Sequence, residues 1–318
     1  MPVDTRREPP AYKYIRPEDK RAYVEWCEPH IAVFNPVPTS PLYHYTTGSG
    51  LIEIIKSGEL WATQLRCLND ASEMLYPIEL LLAEIHEKLD TPLSDDVRFL
   101  LTTTEDKLRK PQLEARGWFV ACFSEDNDDL SQWRAYGGGE GGYAIGFNSL
   151  HLRKLGNQFM FLGKVEYDTT KHKAFMADLL NQTIVFFLDG LQKRRAPSKE
   201  EWISEFLPCW ANFVVTFSPF IKHPKFQGER EWRLVYHFQD EEFPRMRYLQ
   251  RNSMMTQHVP LQLMMQNSKP RLPLTGIVVG PCRHKEVSLI SVGDLLTTYN
   301  YSVADVPLYI TEIPYRTV

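Results

Sequence analysis

The sequence predicts an α+β fold with a mixed, mostly antiparallel sheet core and an insertion of two helices. Strand-like segments recur along the chain without the steady strand and helix rhythm of a doubly wound fold, and there is no internal repeat. A long helical pattern over about residues 169–220 separates two groups of these segments. The chain has 318 residues, of which 43% are hydrophobic, so it can bury a large core. We therefore expect a lead-in segment over residues 1–40 and a single domain over 41–318.

The first predicted elements are a lead-in, a strand, a helix and a second strand. Residues 1–40 are rich in proline and charge, and a short helix is expected at about 18–27. The segment Leu42–Thr46 alternates as a strand does. Gly58 lies where a left-handed residue would end the helix that follows. The next strand is predicted over residues 60–63.

A polar loop over residues 68–73 precedes the next predicted helix. That helix is expected to begin near Pro77, because proline suits the first turn of a helix. The further elements before the helical block are a strand at 117–124, a short helix at 131–136 capped by Asp128 or Asp129, and strands at 142–147 and 163–167.

The helical block carries two apolar stripes at helical spacing. One stripe consists of Phe175, Leu179, Leu180, Ile184, Phe187 and Leu191, and the other of Trp202, Phe206, Trp210 and Phe213. Each stripe predicts a helix with one buried face, and we expect both helices to pack on the sheet. After the block, strands are predicted at 232–238, 245–249, 260–265, 274–279 and 306–313, with a helix across 287–296.

Charge and cysteine content narrow the class of protein. The formal net charge is -4, which argues against a broad nucleic-acid-binding surface and leaves only a local basic face open. The five cysteines are odd in number and lack Cys-x-x-Cys spacing, so we predict reduced thiols. No stretch approaches the roughly 20 apolar residues that cross a bilayer. These features predict a soluble cytoplasmic protein that does not enter a membrane.

Several common sites are excluded by motif. The chain has no Walker loop, no Gly-x-Ser-x-Gly and no glycine-rich phosphate loop after a strand. Its nine histidines are scattered and show no metal-ligand spacing, so we predict no metal site. A site assembled from isolated residues stays open.

Two short segments carry polar side chains in strand alternation. His44 and Thr46 share a face of the first strand, and Glu229, Glu231 and Arg233 share a face of a later one. We expect the two segments to meet at one site. In the alternative interpretation these are ordinary polar strand residues, and Glu231 only pairs with Arg233. The further polar candidates are Asn69, Asp70, Glu73, Ser124, Trp133, Arg134, Tyr136, Tyr143 and Lys222.

The order of the motifs resembles a large bacterial family known as domain of unknown function 2971. The motifs are Tyr-His-Tyr-Thr (43–46), Leu-Trp-Ala-Thr (60–63), Leu-Asn-Asp-x-x-Glu (68–73), Cys-Phe-Ser-Glu (122–125), Gln-Trp-Arg-Ala-Tyr-Gly (132–137), Gly-Tyr-Ala-Ile-Gly-Phe (142–147), Lys-x-x-x-Phe-x-x-Glu-x-Glu-Trp-Arg (222–233) and Ile-Val-Val-Gly-Pro (277–281). The resemblance covers about residues 41–316. The family has no established activity, so the resemblance implies membership of a family and no mechanism.

A second resemblance is to the ADP-ribosyltransferase fold, whose signature is a His on the first strand, a central Tyr and a late Glu-x-Glu. It implies that NAD is the substrate, with His44 and Thr46 at the adenine-side ribose and Tyr136 or Tyr143 stacked on nicotinamide. Glu231 would be the catalytic carboxylate and Glu229 would orient the acceptor. The resemblance implies transfer to an unknown protein or nucleic acid, as in defence or toxin effectors.

Two other functional classes stay open at the level of sequence. The chain is either a non-catalytic binding or sensing module, with Glu229, Glu231 and Arg233 in a structural network, or a metal-dependent nuclease or phosphodiesterase that uses Asp70, Glu73 and Glu231. For the transferase, we expect Glu231 to face a wet cleft, so that its replacement by Gln leaves folding almost intact.

Overall fold

Ten strands form one sheet in the part of the chain that the structure describes. The structure is a computed structural model, and it describes residues 13–68, 75–109, 117–138, 141–155, 160–237, 246–251, 254–263 and 272–314. The strands are β1 (Leu42–Thr46), β2 (Glu59–Gln64), β3 (Trp118–Ser124), β4 (Tyr143–Phe147), β5 (Met160–Lys164), β6 (Glu231–His237), β7 (Arg247–Arg251), β8 (Met254–Gln262), β9 (Leu274–Val279) and β10 (Leu308–Ile310).

Helices cover the two faces of this sheet. They are α1 (Pro17–Phe34), α2 (Gly48–Ser57), α3 (Leu75–Leu89), α4 (Asp95–Leu108), α5 (Leu130–Tyr136), α6 (Ser149–Lys154), α7 (Thr169–Gln192), α8 (Lys199–Phe217) and α9 (Lys285–Thr298). The strand pairs are antiparallel except β9 with β10. The prediction of an α+β fold with a mixed, mostly antiparallel sheet is confirmed.

Strand β3 is the branch point of the sheet. One edge of β3 pairs with β6 along seven residue pairs, and β5 pairs with β6 in turn. The other edge is divided between two strands, because β1 pairs with it only at Ser124 and β2 only at Phe119 and Val120. From this edge of β3, one branch of the sheet therefore continues through β1, β4, β9 and β10, and the other through β2, β8 and β7. Strands β1 and β2 diverge from β3, and a gap opens between them.

Each face of the sheet has its own apolar core. Val120 and Val235 on one face pack with the buried residues of α1, α3, α4, α7 and α8. Phe123 and Leu234 on the opposite face pack with residues of α2, α6 and α9. Alternation along β3 and β6 assigns successive residues to the two cores. Burial of these large side chains on both faces provides the main favourable term in folding.

Local capping residues define both ends of α2 and the start of α5. Thr47 caps α2 by accepting a hydrogen bond from the backbone N–H of Gly50, and Gly58 ends the helix with φ of 69°. This left-handed stop agrees with the sequence prediction. Asp129 caps α5 by accepting from the N–H groups of Ser131 and Gln132, so α5 begins directly over β1.

The two predicted helices of the insertion are α7 and α8, but their main partners are other helices. Contacts of α7 with α3, α4 and α8 build most of the apolar layer, and only part of it touches the sheet. Trp202 Nε1 donates to the carbonyl of Phe187 across the two helices, at 3.1 Å. The stripes therefore predict the helices correctly, whereas the partner depends on α3 and α4, which are distant in sequence.

Helix α7 is the one described helix that is long and apolar enough to cross a membrane. It has 24 residues and a mean hydropathy of 1.3 over its most apolar window. The sequence prediction had found no such stretch. In the structure its residues Phe175, Leu179 and Phe187 are buried in the helical layer.

Helix α1 extends beyond the short helix expected in the lead-in segment. It runs from Pro17 to Phe34, and Phe34 packs at its end against Phe175, Phe217 and Phe220. Glu205 accepts from the backbone N–H of Tyr14 just before the helix. The sequence pattern of α1 is weak because Pro29 and charged residues interrupt its apolar positions.

Candidate functional site

A cleft lies where β1 leaves β3, beneath α5. Its cavity volume is about 40 Å³. Its lining consists of Tyr43, His44, Tyr45, Cys122, Phe123, Ser124, Gln132, Tyr136, Glu229 and Glu231. A concave site with several aromatic rings and a few convergent polar groups is the usual form of a small-molecule site.

Glu231 is the centre of a buried ion cluster at the base of the cleft. Its two carboxylate oxygens accept from Arg233 Nε and Nη2, each at 2.9 Å. Lys222 Nζ donates to Glu231 Oε2 at 3.0 Å and to Glu229 Oε2 at 2.5 Å. Arg233, Lys222 and Glu231 are 1%, 4% and 5% exposed. We call these four residues the ion cluster; it contains two cations and two carboxylates.

The ion cluster keeps Glu231 ionised. Burial raises the pKa of the Glu231 carboxyl, but the charges of Arg233 and Lys222 outweigh burial and bring its pKa down to about 2. Burial also raises the pKa of the Tyr136 hydroxyl, and the nearby Glu231 and Glu229 add to that effect. At neutral pH the cleft therefore presents an ionised carboxylate beside a protonated phenol.

Hydrogen bonds to the backbone hold the ion cluster in place. The backbone N–H of Glu231 donates to the Tyr167 hydroxyl at 3.1 Å, and Arg233 Nη1 donates to the carbonyl of Pro219 at 2.8 Å. Ser124 Oγ donates to the carbonyl of Glu229 at 2.8 Å. These bonds satisfy buried polar groups whose desolvation would otherwise be costly.

Glu229 lies in the cleft, but it does not belong to the strand that contains Glu231. The prediction that Glu229 shares a strand face with Glu231 and Arg233 is wrong, because Pro224–Glu229 forms a 3-10 helix and β6 begins at Glu231. Arg230 joins them in the left-handed conformation, with φ of 44°. This turn brings Glu229 and Glu231 to the same lysine although they do not lie on one strand face.

His44 lines the cleft, but its side chain belongs to the opposite face of the sheet from Glu231. Strand pairing puts Tyr43, Ser124 and Glu231 in one row across β1, β3 and β6, so alternation directs His44 to the opposite face. His44 is among the residues that line the cleft, its Nδ1 lies 2.9 Å from the carbonyl oxygen of Cys122, and its ring packs edge-on against Phe123. The structure thus brings His44 and Glu231 to one cleft.

Thr46 and Tyr143 lie on the other face of the sheet. They pair across β1 and β4, and neither lines the cleft. Thr46 lies against Gly50 of α2, where an added Cβ would collide with its hydroxyl, and Tyr143 packs beside the core on that face. Of the two tyrosines that the sequence leaves open, Tyr136 is the one in the cleft.

The other candidates have structural positions or lie outside the described residues. Trp133 is buried against Tyr45, and its Nε1 donates to Asp128 at 2.8 Å. Arg134 is exposed on α5. Asn69, Asp70 and Glu73 fall outside the residues that the structure describes. Among the described residues, no three or more His, Cys, Asp or Glu side chains are grouped to hold a metal ion.

The sequence prediction missed part of the lining. Tyr43 and Tyr45 flank His44 on β1, and Gln132 lies one turn before Tyr136 on α5. The alternation of β1 does contain the signal for the tyrosines, since it separates them from His44. Only the pairing of β1 with β3, which no local pattern specifies, shows which face meets Glu231.

Part of the chain matches the model of a known family. The model of the family described as "Protein of unknown function (DUF2971)" matches residues 132–234. The resemblance to the DUF2971 family is confirmed over this segment. The DUF2971 segment contains the whole ion cluster and the α5 side of the cleft, whereas β1 lies before it.

The remaining comparisons add no relative. No curated protein and no solved structure is significantly similar to the chain. The likeness to the ADP-ribosyltransferase fold therefore stays a prediction, and the DUF2971 match itself carries no activity.

Proposed function

We propose that the cleft binds NAD and that the protein transfers ADP-ribose from NAD to a macromolecular acceptor. The observation that supports this proposal is the convergence of a first-strand His, a Tyr and a Glu-x-Glu pair on one cleft. His44 and Glu231 are far apart in the chain, yet both line it together with Tyr136 and Glu229. In the resembling fold, these residue types serve the ribose, the nicotinamide and the reacting carbon.

The proposed reaction breaks the bond between ribose C1′ and the nicotinamide nitrogen. The bonding electrons leave with the nitrogen, so nicotinamide departs neutral and the ribose develops positive charge at C1′. A fixed carboxylate stabilises such an oxocarbenium-like transition state. Glu231 is suited to this role because Arg233 and Lys222 hold it ionised and immobile.

The acceptor completes the proposed transfer. Its nucleophilic atom forms the new bond to C1′, and its proton passes to a base in the cleft. Glu229 is the candidate base, since its side chain is 20% exposed while that of Glu231 is 7% exposed. Tyr136 would stack on the nicotinamide and His44 would contact the adenine-side ribose, as the resemblance implies.

A non-catalytic binding module is the second candidate function. It is favoured by the bonding of Glu231, whose two oxygens both accept from buried cations. A carboxylate neutralised in this way stabilises structure and has less charge to offer to a transition state. In this interpretation the aromatic cleft above the ion cluster binds a ligand without changing it.

Incubation of the wild-type protein with nicotinamide-labelled NAD separates the two functions. Mass spectrometry would follow free nicotinamide and ADP-ribosylated macromolecules in a cell extract, and calorimetry would follow NAD binding. The transferase predicts binding, release of nicotinamide and a modified macromolecule. Binding without release supports the module, and neither binding nor release ends the NAD proposal.

A further inference from the structure

Two polar side chains of α5 line the cleft without a hydrogen-bond partner in the described part of the chain. Gln132 is 7% exposed, and its backbone N–H donates to Asp129, but its carboxamide makes no hydrogen bond to a described residue. The hydroxyl of Tyr136 makes none either, and it lies four residues later on the same side of α5. Buried polar groups of folded proteins almost always have a partner, so these two exceptions need an explanation.

The neighbours of Gln132 hold α5 in place. Asp129 caps the start of the helix, and the buried ring of Trp133 packs against Tyr45. Trp133 Nε1 also donates to Asp128 at 2.8 Å. Because the helix is fixed in this way, the Gln132 side chain is positioned at the cleft before a ligand arrives. A group positioned in advance loses little freedom when it forms hydrogen bonds to a ligand.

The two side chains offer hydrogen bonds that match an amide. The carboxamide of Gln132 accepts at Oε1 and donates at Nε2. Burial raises the pKa of the Tyr136 hydroxyl, and the charges of Glu231 and Glu229 add to that effect, so the phenol stays protonated and can donate. A complementary ligand group has a hydrogen-bond acceptor and an N–H donor side by side, as a primary carboxamide does.

The size and the charge of the cleft favour a small neutral group. Its cavity volume of about 40 Å³ corresponds to roughly three water-sized positions, and a carboxamide consists of one carbon, one oxygen and one nitrogen. The side chain of Glu229 is 20% exposed, whereas that of Lys222 is 4% exposed. A carboxylate on a ligand would therefore meet the carboxylate of Glu229 before it met the ammonium of Lys222, and like charges repel.

We propose that Gln132 and Tyr136 form a carboxamide subsite, which binds the terminal primary amide of a ligand. Gln132 Oε1 accepts from the amide nitrogen of the ligand. The amide oxygen has two lone pairs and accepts from Gln132 Nε2 and from the Tyr136 hydroxyl. The identity of the ligand rests on the proposed function, since in NAD this group is the carboxamide of nicotinamide. Gln132 is then a residue that determines specificity and takes no part in bond breaking.

Binding of nicotinamide and of nicotinate tests the carboxamide subsite without NAD. The two molecules differ only in having a carboxamide or a carboxylate, and titration followed by ligand-observed NMR would give the Kd of each. The wild-type protein should bind nicotinamide more tightly, on the order of tenfold or more.

Gln132→Met keeps the length of the side chain but removes its hydrogen bonds. It should weaken nicotinamide binding on the order of tenfold or more, and nicotinate binding much less. Gln192→Met, at an exposed glutamine of α7, is the matched control and should change neither Kd. Tyr136→Phe keeps the ring and should weaken nicotinamide binding by about fivefold. This second variant keeps the test valid if Gln132→Met fails to fold.

Three results would overturn the carboxamide subsite. They are a wild-type protein that does not bind nicotinamide, equal affinities for nicotinamide and nicotinate, and equal losses in Gln132→Met and Gln192→Met.

Titration with NAD and with its analogue that has a carboxylate in place of the carboxamide separates this inference from the proposed function. Equal binding of both dinucleotides contradicts the carboxamide subsite but leaves the NAD proposal in place. Preference for nicotinamide over nicotinate without any binding of NAD supports the carboxamide subsite and ends the NAD proposal.

Discussion

Glu231 contributes to the stability of the fold and is also the proposed catalytic carboxylate. The Arg233 guanidinium and the Lys222 ammonium are buried beside it, and each needs a carboxylate partner. Removal of one partner from a buried ion pair typically costs about 3–5 kcal/mol, because the other charge is left uncompensated. The expectation that Glu231→Gln leaves folding nearly intact assumed a wet cleft, whereas Glu231 is 5% exposed, so we now expect this variant to lose stability. Activity of any Glu231 variant has to be expressed per folded molecule.

Acid should weaken the wild-type fold more than the fold of Glu231→Gln. The pKa of Glu231 is lowered to about 2 in the folded protein, so its stabilising effect is present above its unfolded pKa and is lost as pH falls toward the folded value. Between pH 6 and pH 3 this residue should remove roughly 2 kcal/mol from the free energy of unfolding. Urea titrations of both proteins across that range measure the difference. Parallel curves would contradict the low pKa.

Alanine variants of Tyr136 and Tyr143 provide a matched pair for testing NAD binding. Tyr136→Ala should raise the Kd for NAD on the order of tenfold, since stacking of an aromatic side chain on a base is worth roughly 1–3 kcal/mol. Tyr143→Ala should leave the Kd almost unchanged, because Tyr143 lies on the opposite face. Isothermal titration calorimetry with NAD measures the Kd of both variants. An equal loss in both variants would indicate a general effect on folding.

At the scale of the element, the divergence of β1 and β2 from β3 creates the cleft. A regular sheet would pair β3 along its whole length and leave no room for the His44 ring at the Cys122 carbonyl. The left-handed Arg230 then sets Glu229 beside β6 without a further strand. The helical layer supports β6 from below, through Arg233 and the carbonyl of Pro219.

The contact between α7 and α8 should be sensitive to added side-chain volume at one residue. Gly190 of α7 faces the ring of Trp202, where an added Cβ would collide with the indole. Gly190→Val should lower the free energy of unfolding by about 1–3 kcal/mol, as overpacking of a core does. Ala174→Val, at an exposed position of the same helix, is the control and should cost only its small helix propensity. Calorimetric melting measures both. A similar Tm for the two variants would show that the helices adjust.

At the scale of the whole molecule, the sequence predicts the elements better than their partners. The stripes of α7 and α8 are readable because their apolar spacing persists over many turns. His44 and Glu231 both line the cleft, but strand pairing directs their side chains to opposite faces of the sheet. The sequence does not predict this arrangement, nor the row that joins Tyr43, Ser124 and Glu231, because both depend on pairing between distant strands.

Two further differences have local causes. Glu229 does not share a strand face with Glu231, because a short alternating pattern does not reveal a left-handed residue such as Arg230. The sequence does not predict the packing of α1, because Pro29 interrupts its apolar pattern and some of its charges pair with distant residues, as Asp19 does with Arg195 of the connection between α7 and α8. The division of the chain into a lead-in segment and one domain stays a prediction.

The rate of nicotinamide release per folded molecule tests the proposed function most directly. Wild type, Glu231→Gln and Glu229→Gln would be assayed with NAD at a temperature where circular dichroism shows each to be folded, with the folded fraction used to normalise the rate. We predict that wild type releases nicotinamide and that Glu231→Gln is slower by about 10²- to 10³-fold per folded molecule, as for the loss of other fixed electrostatic groups. An unchanged rate per folded Glu231→Gln molecule, or no release by the folded wild-type protein, would contradict the account.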